Sequence, residues 1–324
     1  MAIHGEKPES DLPNSRGSDP KEIIKKMLDD GLVTPDELAE LFATRKSIGT
    51  SAVHMLEQQK EKLVSFSDAA KQLKTVGLDL EKARRQAVHR HKSLGLVSTL
   101  KKKGIIQNAD QYGALFDTVT FTQKGLAALT EKTKTGSMQL PVFNPGHLSL
   151  EELWKVLIVE GRIPFWEYSY GFQHISQLRK IDPKDIPGLP TLHEKSYKAQ
   201  LQAFAEAYKT APLLMPGLPS VIFTTNTNLY ELPDINVDKS ATKHNQAALE
   251  GAQFIDPMSD LIKRMEIRSY FYREPNFATQ YPLYVFENGG IAYLYWDSNS
   301  RKLDLDYCRP GRADSRLGSR SVLQ

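Results

Sequence analysis

Apolar positions recur with a helical period through most of the first 130 residues of the chain. Two capping signals, the DPKE stretch at Asp19 and the TPDE stretch at Thr34, each predict the start of a short helix. A third helical pattern covers about residues 51–63, and Ser67 can cap a fourth helix whose apolar positions share one side. The first part of the chain is therefore predicted to be largely helical.

The next pattern, over residues 80–94, is that of an amphipathic helix with a basic outer face. Its apolar face would carry Leu80, Ala83, Ala87 and Leu94. Its opposite face would carry Lys82, Arg85, His89 and Lys92. The stretch from Asp79 to Gly104 is long for a single helix, and Gly95 is predicted to break it.

Strand patterns follow the basic helix. The stretches GIIQ (residues 104–107) and LFDTVTFT (residues 115–122) are predicted to be two strands, with Val119 and Phe121 pointing inward in the second. The NADQYGA stretch between them has turn chemistry, so the two strands are expected to form a hairpin. A helix capped by Thr122 is predicted to come next.

The second half of the chain mixes helix and strand patterns. Capping boxes at Ser149 and Thr191 predict two helices, and a third is expected near residues 257–267. Strands are predicted in the stretches SVIFTTNTNLYEL, YPLYVFENGGIAYLYWD and KLDLDY, the second of them a hairpin that turns at residues 288–290. The fold class predicted for the whole chain is α+β with an antiparallel sheet.

Charge is distributed very unevenly, although the net charge of the 324-residue chain is only +3. Between Lys60 and Lys103, twelve Lys or Arg residues stand against four acids. Cations on one solvated face bind phosphates by displacing counterions, and an arginine such as Arg84 or Arg85 could read guanine edges. The alternative is a solvated helix face without a ligand. The candidate nucleic-acid-binding residues are Lys82, Arg84, Arg85, His89, Lys92, Lys101, Lys102 and Lys103.

A segment over about residues 60–134 contains the basic helix followed by the sequence stretches GII and VTFTQKGLAAL. This segment resembles the winged helix-turn-helix regulators of the multiple-antibiotic-resistance-regulator type. The resemblance implies a fold that presents one helix to the major groove of DNA and a β-wing to the flanking backbone. Winged helices also serve as protein-interaction modules, so the resemblance concerns the fold more than the regulator class.

Composition predicts two domains. Residues 19–136 would form a helical and winged-helix domain, and residues 148–308 an α+β domain, joined by a Gly-, Ser- and Pro-containing linker over residues 137–147. Residues 1–18 are predicted to be a disordered tail and residues 309–324 a flexible basic tail. The chain shows no membrane-spanning apolar run and no secretion-signal pattern at its start, so it is expected to be cytoplasmic with no membrane partner.

Few residues indicate catalysis or metal binding. His89 and His91 stand at i and i+2, which places them on different sides of a helix, so no metal site and no cofactor are predicted. The stretch IPFWEYSYGFQHI would, as a strand, have four aromatic side chains on one face. That surface could stack bases or grip a peptide, although the core-facing side of a sheet is the more common use of aromatics. Its members are Trp166, Tyr168, Tyr170 and Phe172.

The predicted function is binding of double-stranded DNA, as a transcriptional regulator or as a replication or partition factor of a mobile element, with a homodimer as one arrangement. One alternative is an enzyme or secreted effector whose activity lies in the C-terminal α+β domain, with the winged helix as adaptor. The other is a protein-interaction scaffold that binds a protein partner through the C-terminal domain. The sequence leaves enzymatic activity undecided and favours a non-enzymatic role.

Overall fold

The computed structural model describes residues 63–136, 139–159, 175–225, 235–237, 240–271, 278–297, 299, 302–313, 317–320 and 322–323. All of them belong to one compact unit that spans residues 63–324. The tail predicted for residues 1–18 and the helices predicted between Asp19 and residue 62 lie outside the described residues. The predicted aromatic surface also lies outside them: Trp166, Tyr168, Tyr170 and Phe172.

The described chain begins with a helical section. Two three-residue strands, β1 (Leu63–Ser65) and β2 (Thr120–Thr122), pair in antiparallel fashion, and each leads directly into a helix. Their pairing therefore brings the starts of the first and last helices of this section together. The five helices are α1 (Phe66–Lys74), α2 (Leu80–Ser93), α3 (Leu96–Lys102), α4 (Ala109–Ala114) and α5 (Gln123–Lys134).

The hairpin predicted for residues 104–122 is not formed in the structure. Strand β2 pairs with β1 instead of with residues 104–107. Asn108 caps α4, because its side chain accepts a hydrogen bond from the Gln111 backbone N–H at 2.9 Å. The helix also buries Tyr112 completely, so capping and burial stabilise a helix where turn chemistry was expected. The inward direction predicted for Val119 and Phe121 is confirmed, since both are buried.

The predicted break at Gly95 is confirmed. Helix α2 ends at Ser93 and α3 begins at Leu96, with Gly95 between them at a φ of +87°. A residue with a Cβ rarely adopts this left-handed conformation, so glycine permits the sharp change of direction between the two helices.

The remaining elements form an α+β section. Its strands are β3 (Gln139–Asn144), β4 (Arg179–Lys180), β5 (Ser220–Thr225), β6 (Ile235–Val237), β7 (Ala278–Val285), β8 (Ile291–Asp297), β9 (Lys302–Cys308) and β10 (Leu317–Arg320). Its helices are α6 (Leu150–Trp154), α7 (Leu189–Leu192), α8 (Tyr197–Thr210), α9 (Ala241–Leu249) and α10 (Pro257–Phe271). The main sheet has the order β6-β10-β7-β8-β9, and β4 pairs with β7. Because every pairing except the parallel β10–β7 is antiparallel, the predicted α+β class with an antiparallel sheet is confirmed.

Strand β3 lies where the linker over residues 137–147 was predicted. It pairs with β5 from Gln139 to Asn144. The Phe143 ring packs against Phe116, with ring centroids 5.0 Å apart, and against Phe66, with centroids 6.5 Å apart. Side chains from both sides of the predicted linker therefore share one hydrophobic core, and the structure differs here from the expectation of two domains.

Residues 309–324 also differ from the expected flexible tail. They contain β10, which lies between β6 and β7 in the main sheet. Beyond it, the Val322 backbone N–H donates to the Gln253 carbonyl at 3.0 Å, and Leu323 forms a bridge with Phe223. This segment pairs with strands because alternate residues are apolar or small enough to be buried, as Leu317 and Ser319 are.

Candidate nucleic-acid interface

The outer face of α2 carries a stripe of exposed basic side chains, and the opposite face is buried. At a rise of about 1.5 Å per residue, the stripe extends for about 15 Å along the helix. None of its side chains forms an ion pair with a carboxylate in the part of the chain that the structure describes. The predicted residues that the structure brings together here are Lys82, Arg85, His89 and Lys92, referred to below as the basic stripe.

The start of α2 and its support come from nearby residues. The Asp79 side chain accepts a hydrogen bond from the Lys82 backbone N–H at 2.8 Å and so caps the helix. Helix α1 precedes it by a turn of five residues, 75–79, and packs its buried Leu73 in the same core as Leu80. Helices α1 and α2 are thus packed together and joined by a short turn, and one side of α2 remains exposed.

Arg84 lies apart from the basic stripe and holds local structure together. Its guanidinium group is 2.7 Å from the Glu81 carboxylate and also pairs with Asp117. Its central carbon lies 4.9 Å from the centroid of the Phe66 ring, a cation–π distance. With two acidic partners and an aromatic face already engaged, Arg84 is not available to a base edge in this arrangement.

Lys101, Lys102 and Lys103, which were predicted together, differ in their contacts. Lys101 and Lys102 are exposed at the end of α3 and make no ion pair within the described ranges. Lys103 Nζ lies 2.6 Å from Glu152 Oε1 and donates to the His147 carbonyl at 3.2 Å. Partial burial disfavours ionised Glu152, but hydrogen bonds from Lys103 and Ser149 outweigh it and lower its pKa. Two of the three lysines are therefore left to contact a ligand.

A buried polar cluster lies behind the basic stripe and was not predicted. His91 Nδ1 is 2.7 Å from the Tyr112 hydroxyl, and His91 Nε2 is 2.7 Å from Glu266 Oε1 on α10. The Arg90 guanidinium also reaches this carboxylate, at 3.4 Å from Glu266 Oε2. Burial, with a smaller contribution from Glu266, raises the pKa of Tyr112 well above its ordinary value. The cluster fixes the rotation of α2 about its axis, and so the direction of the stripe.

A second buried network of hydrogen bonds and ion pairs connects α10 to the main sheet. Arg264 Nε donates to Asp260 Oδ2 at 2.9 Å, and the Tyr281 hydroxyl donates to the same oxygen at 2.8 Å. Arg320 on β10 lies 3.7 Å from the other carboxylate oxygen. Burial would raise the pKa of Asp260, but the positive charges of Arg264 and Arg320 lower it to about 2. The ionised Asp260 carboxylate, paired with two arginines, therefore connects α10 to the main sheet.

Comparison with known proteins adds no family to this description. No family model, no curated protein and no solved structure matches the chain. Within the described ranges, no group of three or more His, Cys, Asp or Glu side chains is arranged to hold a metal ion. No helix in those ranges combines the length and the apolar character needed to cross a bilayer. Function is therefore inferred from the geometry of the surface itself.

Proposed function

We propose that this protein binds double-stranded DNA through the basic stripe of α2, with Lys101 and Lys102 adding phosphate contacts. The observation that carries the proposal is the stripe itself: its exposed cations, Lys82, Arg85 and Lys92, are aligned, and no carboxylate in the described ranges neutralises them. Cations in this state exchange counterions for phosphates on binding, which favours association with DNA.

The dimensions of the stripe suit the major groove. The groove is about 12 Å wide and admits an α-helix, so a stripe about 15 Å long can contact base edges at its middle and phosphates at its ends. Arg85 is central on the exposed face and is the side chain best placed for a bidentate contact with guanine. Lys82 and Lys92 are nearer the two ends and would contact phosphates.

The proposal keeps the helix-turn-helix presentation of α2 and does not depend on a hairpin wing. In it the protein acts in the cytoplasm as a transcriptional regulator or as a replication or partition factor. A homodimer would present two stripes to two half-sites about one helical turn of DNA apart.

The proposal is tested by measuring affinity for a 30-base-pair duplex by fluorescence anisotropy between about 50 and 200 mM salt. About four phosphate contacts, from Lys82, Lys92, Lys101 and Lys102, predict a slope of log K against log salt near −4. The variant Lys82→Ala/Arg85→Ala/Lys92→Ala leaves two of these contacts and should reduce the slope to about −2. The matched control, Lys180→Ala/Lys184→Ala/Lys209→Ala, removes the same charge from exposed positions elsewhere. It should keep both slope and affinity.

Binding that does not change with salt, or an equal loss in the control, would contradict the proposal. Circular dichroism and the melting temperature of each variant establish that it is folded. A folded parent protein that binds no duplex at low salt would leave the enzyme and the scaffold as the remaining candidates.

A further inference from the structure

The α+β section contains a cavity of about 490 Å³ that DNA binding by α2 does not use. This volume lies within the range of about 300–1,000 Å³ that is typical of small-molecule sites. Among the described residues that line it there are two arginines and no acidic side chain. The lining residues are Tyr197, Gln200, Arg309, Gly311 and Arg312.

The two arginines stand at the ends of one tight turn. The Arg312 backbone N–H donates to the Arg309 carbonyl at 3.0 Å, and Pro310 occupies the first position between them. The Cα atoms at the ends of such a turn are within about 7 Å of each other, so both arginine side chains extend from the same part of the cavity wall.

Hydrogen bonds hold the turn in place. The Pro310 carbonyl accepts from the Thr242 backbone N–H at 3.2 Å, and the Thr242 hydroxyl donates to Gln200 Oε1 at 3.2 Å. The other end of the Gln200 amide donates to the Lys195 carbonyl at 3.0 Å. A Cβ on Gly311 would lie 2.6 Å from Gln200 Oε1, so a larger residue would have to displace the Gln200 amide from its hydrogen bonds. The cavity wall is preorganised, which lowers the entropic cost of binding.

Tyr197 orients one of the two guanidinium groups. The central carbon of Arg309 lies 4.5 Å from the centroid of the Tyr197 ring. Stacking on the ring holds the plane of the guanidinium group and leaves its N–H edges for hydrogen bonds. Helix α8 begins at Tyr197, so its dipole adds a partial positive charge of the same sign at this wall.

We propose that this cavity binds a small phosphorylated molecule, with Arg309 and Arg312 donating charge-assisted hydrogen bonds to its phosphate group. A phosphate monoester has a charge of about −1.5 to −2 and three terminal oxygens, which matches two guanidinium groups better than a singly charged carboxylate does. The rest of the cavity has room for the organic part of the ligand.

Isothermal titration calorimetry of the full chain with inorganic phosphate and with adenosine monophosphate tests the proposal, with adenosine and acetate as comparators. We expect both phosphates to bind and both comparators to bind at least tenfold more weakly. Arg309→Ala/Arg312→Ala should weaken phosphate binding at least tenfold. Arg309→Lys/Arg312→Lys keeps the charge but loses the two-pronged contact, and should weaken it about fivefold. Lys180→Ala/Lys184→Ala, which removes two exposed charges elsewhere, should stay within twofold of the parent.

Gly311→Ala is a second way to perturb the site, because it leaves both arginines in place. It should weaken phosphate binding by crowding Gln200. If the double alanine variant does not fold, the double lysine variant decides: weaker binding supports the proposal and unchanged binding overturns it.

Three results would overturn the proposal: no phosphate binding at millimolar concentration, binding of acetate as strong as that of phosphate, or unchanged binding in the folded arginine variants. Competition by DNA would be a fourth such result. If duplex DNA displaces phosphate and Arg309→Ala/Arg312→Ala loses DNA affinity as the α2 variant does, the arginines are a contact for DNA phosphates and not a small-molecule site.

Discussion

His91 Nε2 lies 2.7 Å from Glu266 Oε1, which anchors the basic helix α2 to α10 through a buried contact. The other ring nitrogen of His91 meets Tyr112, so the histidine is held from two sides. Because His91 and the basic stripe are on opposite faces of the same helix, this buried contact determines which side chains of α2 face the solvent.

Removing the carboxylate from this cluster should destabilise the fold. Glu266→Ala leaves His91 and Arg90 without their acidic partner in a buried environment, so the free energy of unfolding should fall by about 3 kcal/mol. Urea denaturation measures the change. Glu131→Ala, whose pairing with Lys134 is exposed, should cost under about 0.5 kcal/mol beyond any change in helix propensity. A similar cost for both variants would show that the cluster does not anchor α2.

Arg85 and its neighbour Arg84 should have opposite effects when replaced. Arg85→Ala should lose about 1–3 kcal/mol of binding free energy on the preferred duplex and less on random DNA, with a stability change under about 0.5 kcal/mol. Arg84→Ala should lower stability by about 1 kcal/mol, since it removes the contacts with Phe66 and two carboxylates, and should keep the site preference. Enrichment of duplexes from a random pool identifies the preferred site. The same preference in parent and Arg85→Ala proteins would exclude base readout by Arg85.

The lysines at the end of α3 should also differ from one another. Lys101→Ala/Lys102→Ala should weaken binding to every duplex by a similar factor, because phosphate contacts contain no base information. Lys103→Ala should leave DNA affinity within about twofold and lower stability by under about 1 kcal/mol, because Lys103 is engaged with Glu152. Anisotropy titrations on three unrelated duplexes give the comparison. A greater loss of affinity in Lys103→Ala than in the double variant would reverse this assignment.

Signals between close neighbours in sequence predicted several local features, although two predicted caps were wrong: Ser65 and not Ser67 caps α1, and Ser196 and not Thr191 caps α8. The capping box of Ser149 and Glu152 is formed in both directions, and Thr122 caps α5 as expected. The turn at residues 288–290 joins β7 to β8. Each of these features depends on hydrogen bonds or backbone angles within about four residues, which is the range in which a sequence pattern is informative.

Features that depend on distant residues could not be predicted. The strand predicted over residues 115–122 is formed only at Thr120–Thr122, after a 3-10 helix at Leu115–Thr118. Its partner could not be predicted, because β1 is remote in sequence. Lys103 could not be separated from Lys101 and Lys102 without knowing that Glu152 packs beside it. Likewise, no local pattern indicates that the arginines at 309 and 312 line a cavity with the start of α8. Contacts between residues far apart in the sequence therefore determine which charged side chains of each predicted group can contact a ligand.

Stability should fall in acid because of Asp260. Burial would raise its pKa, but Arg264 and Arg320 hold it at about 2 in the folded state, whereas an unfolded aspartate titrates near 3.9. Folding therefore favours the ionised form, so the stabilisation, about 2 kcal/mol, is complete above about pH 5 and is lost as the pH falls through 4 towards 2. Denaturation between pH 2 and pH 7 measures it.

Asp260→Asn should be less stable at pH 7 and should lack this part of the acid dependence. Asp185→Asn, at an exposed position, serves as the control and should keep the parent profile. An unchanged acid profile in a folded Asp260→Asn protein would show that Asp260 does not have the depressed pKa.

Cys308 should be unreactive in the folded protein. It is the one cysteine in the sequence, so a thiol reagent reports on it alone. Burial raises the pKa of the Cys308 thiol to about 11, and the hydrogen bond from Gln280 offsets only part of this. At pH 8 its reaction with Ellman's reagent should be at least a hundredfold slower than after unfolding in urea. Tyr307→Cys in a Cys308→Ser background places the thiol at an exposed neighbouring position and should react rapidly. Equally fast labelling of both would show that the strand opens readily.

The position of β10 between β6 and β7 has a consequence for synthesis of the chain. A ribosome produces both neighbours before residues 317–320 exist, so the inner edges of β6 and β7 emerge without the strand that separates them. Unpaired strand edges are templates for pairing with other chains. A nascent chain that stalls before Leu317 would therefore expose two open edges, which makes it a substrate for chaperones or for aggregation until translation resumes.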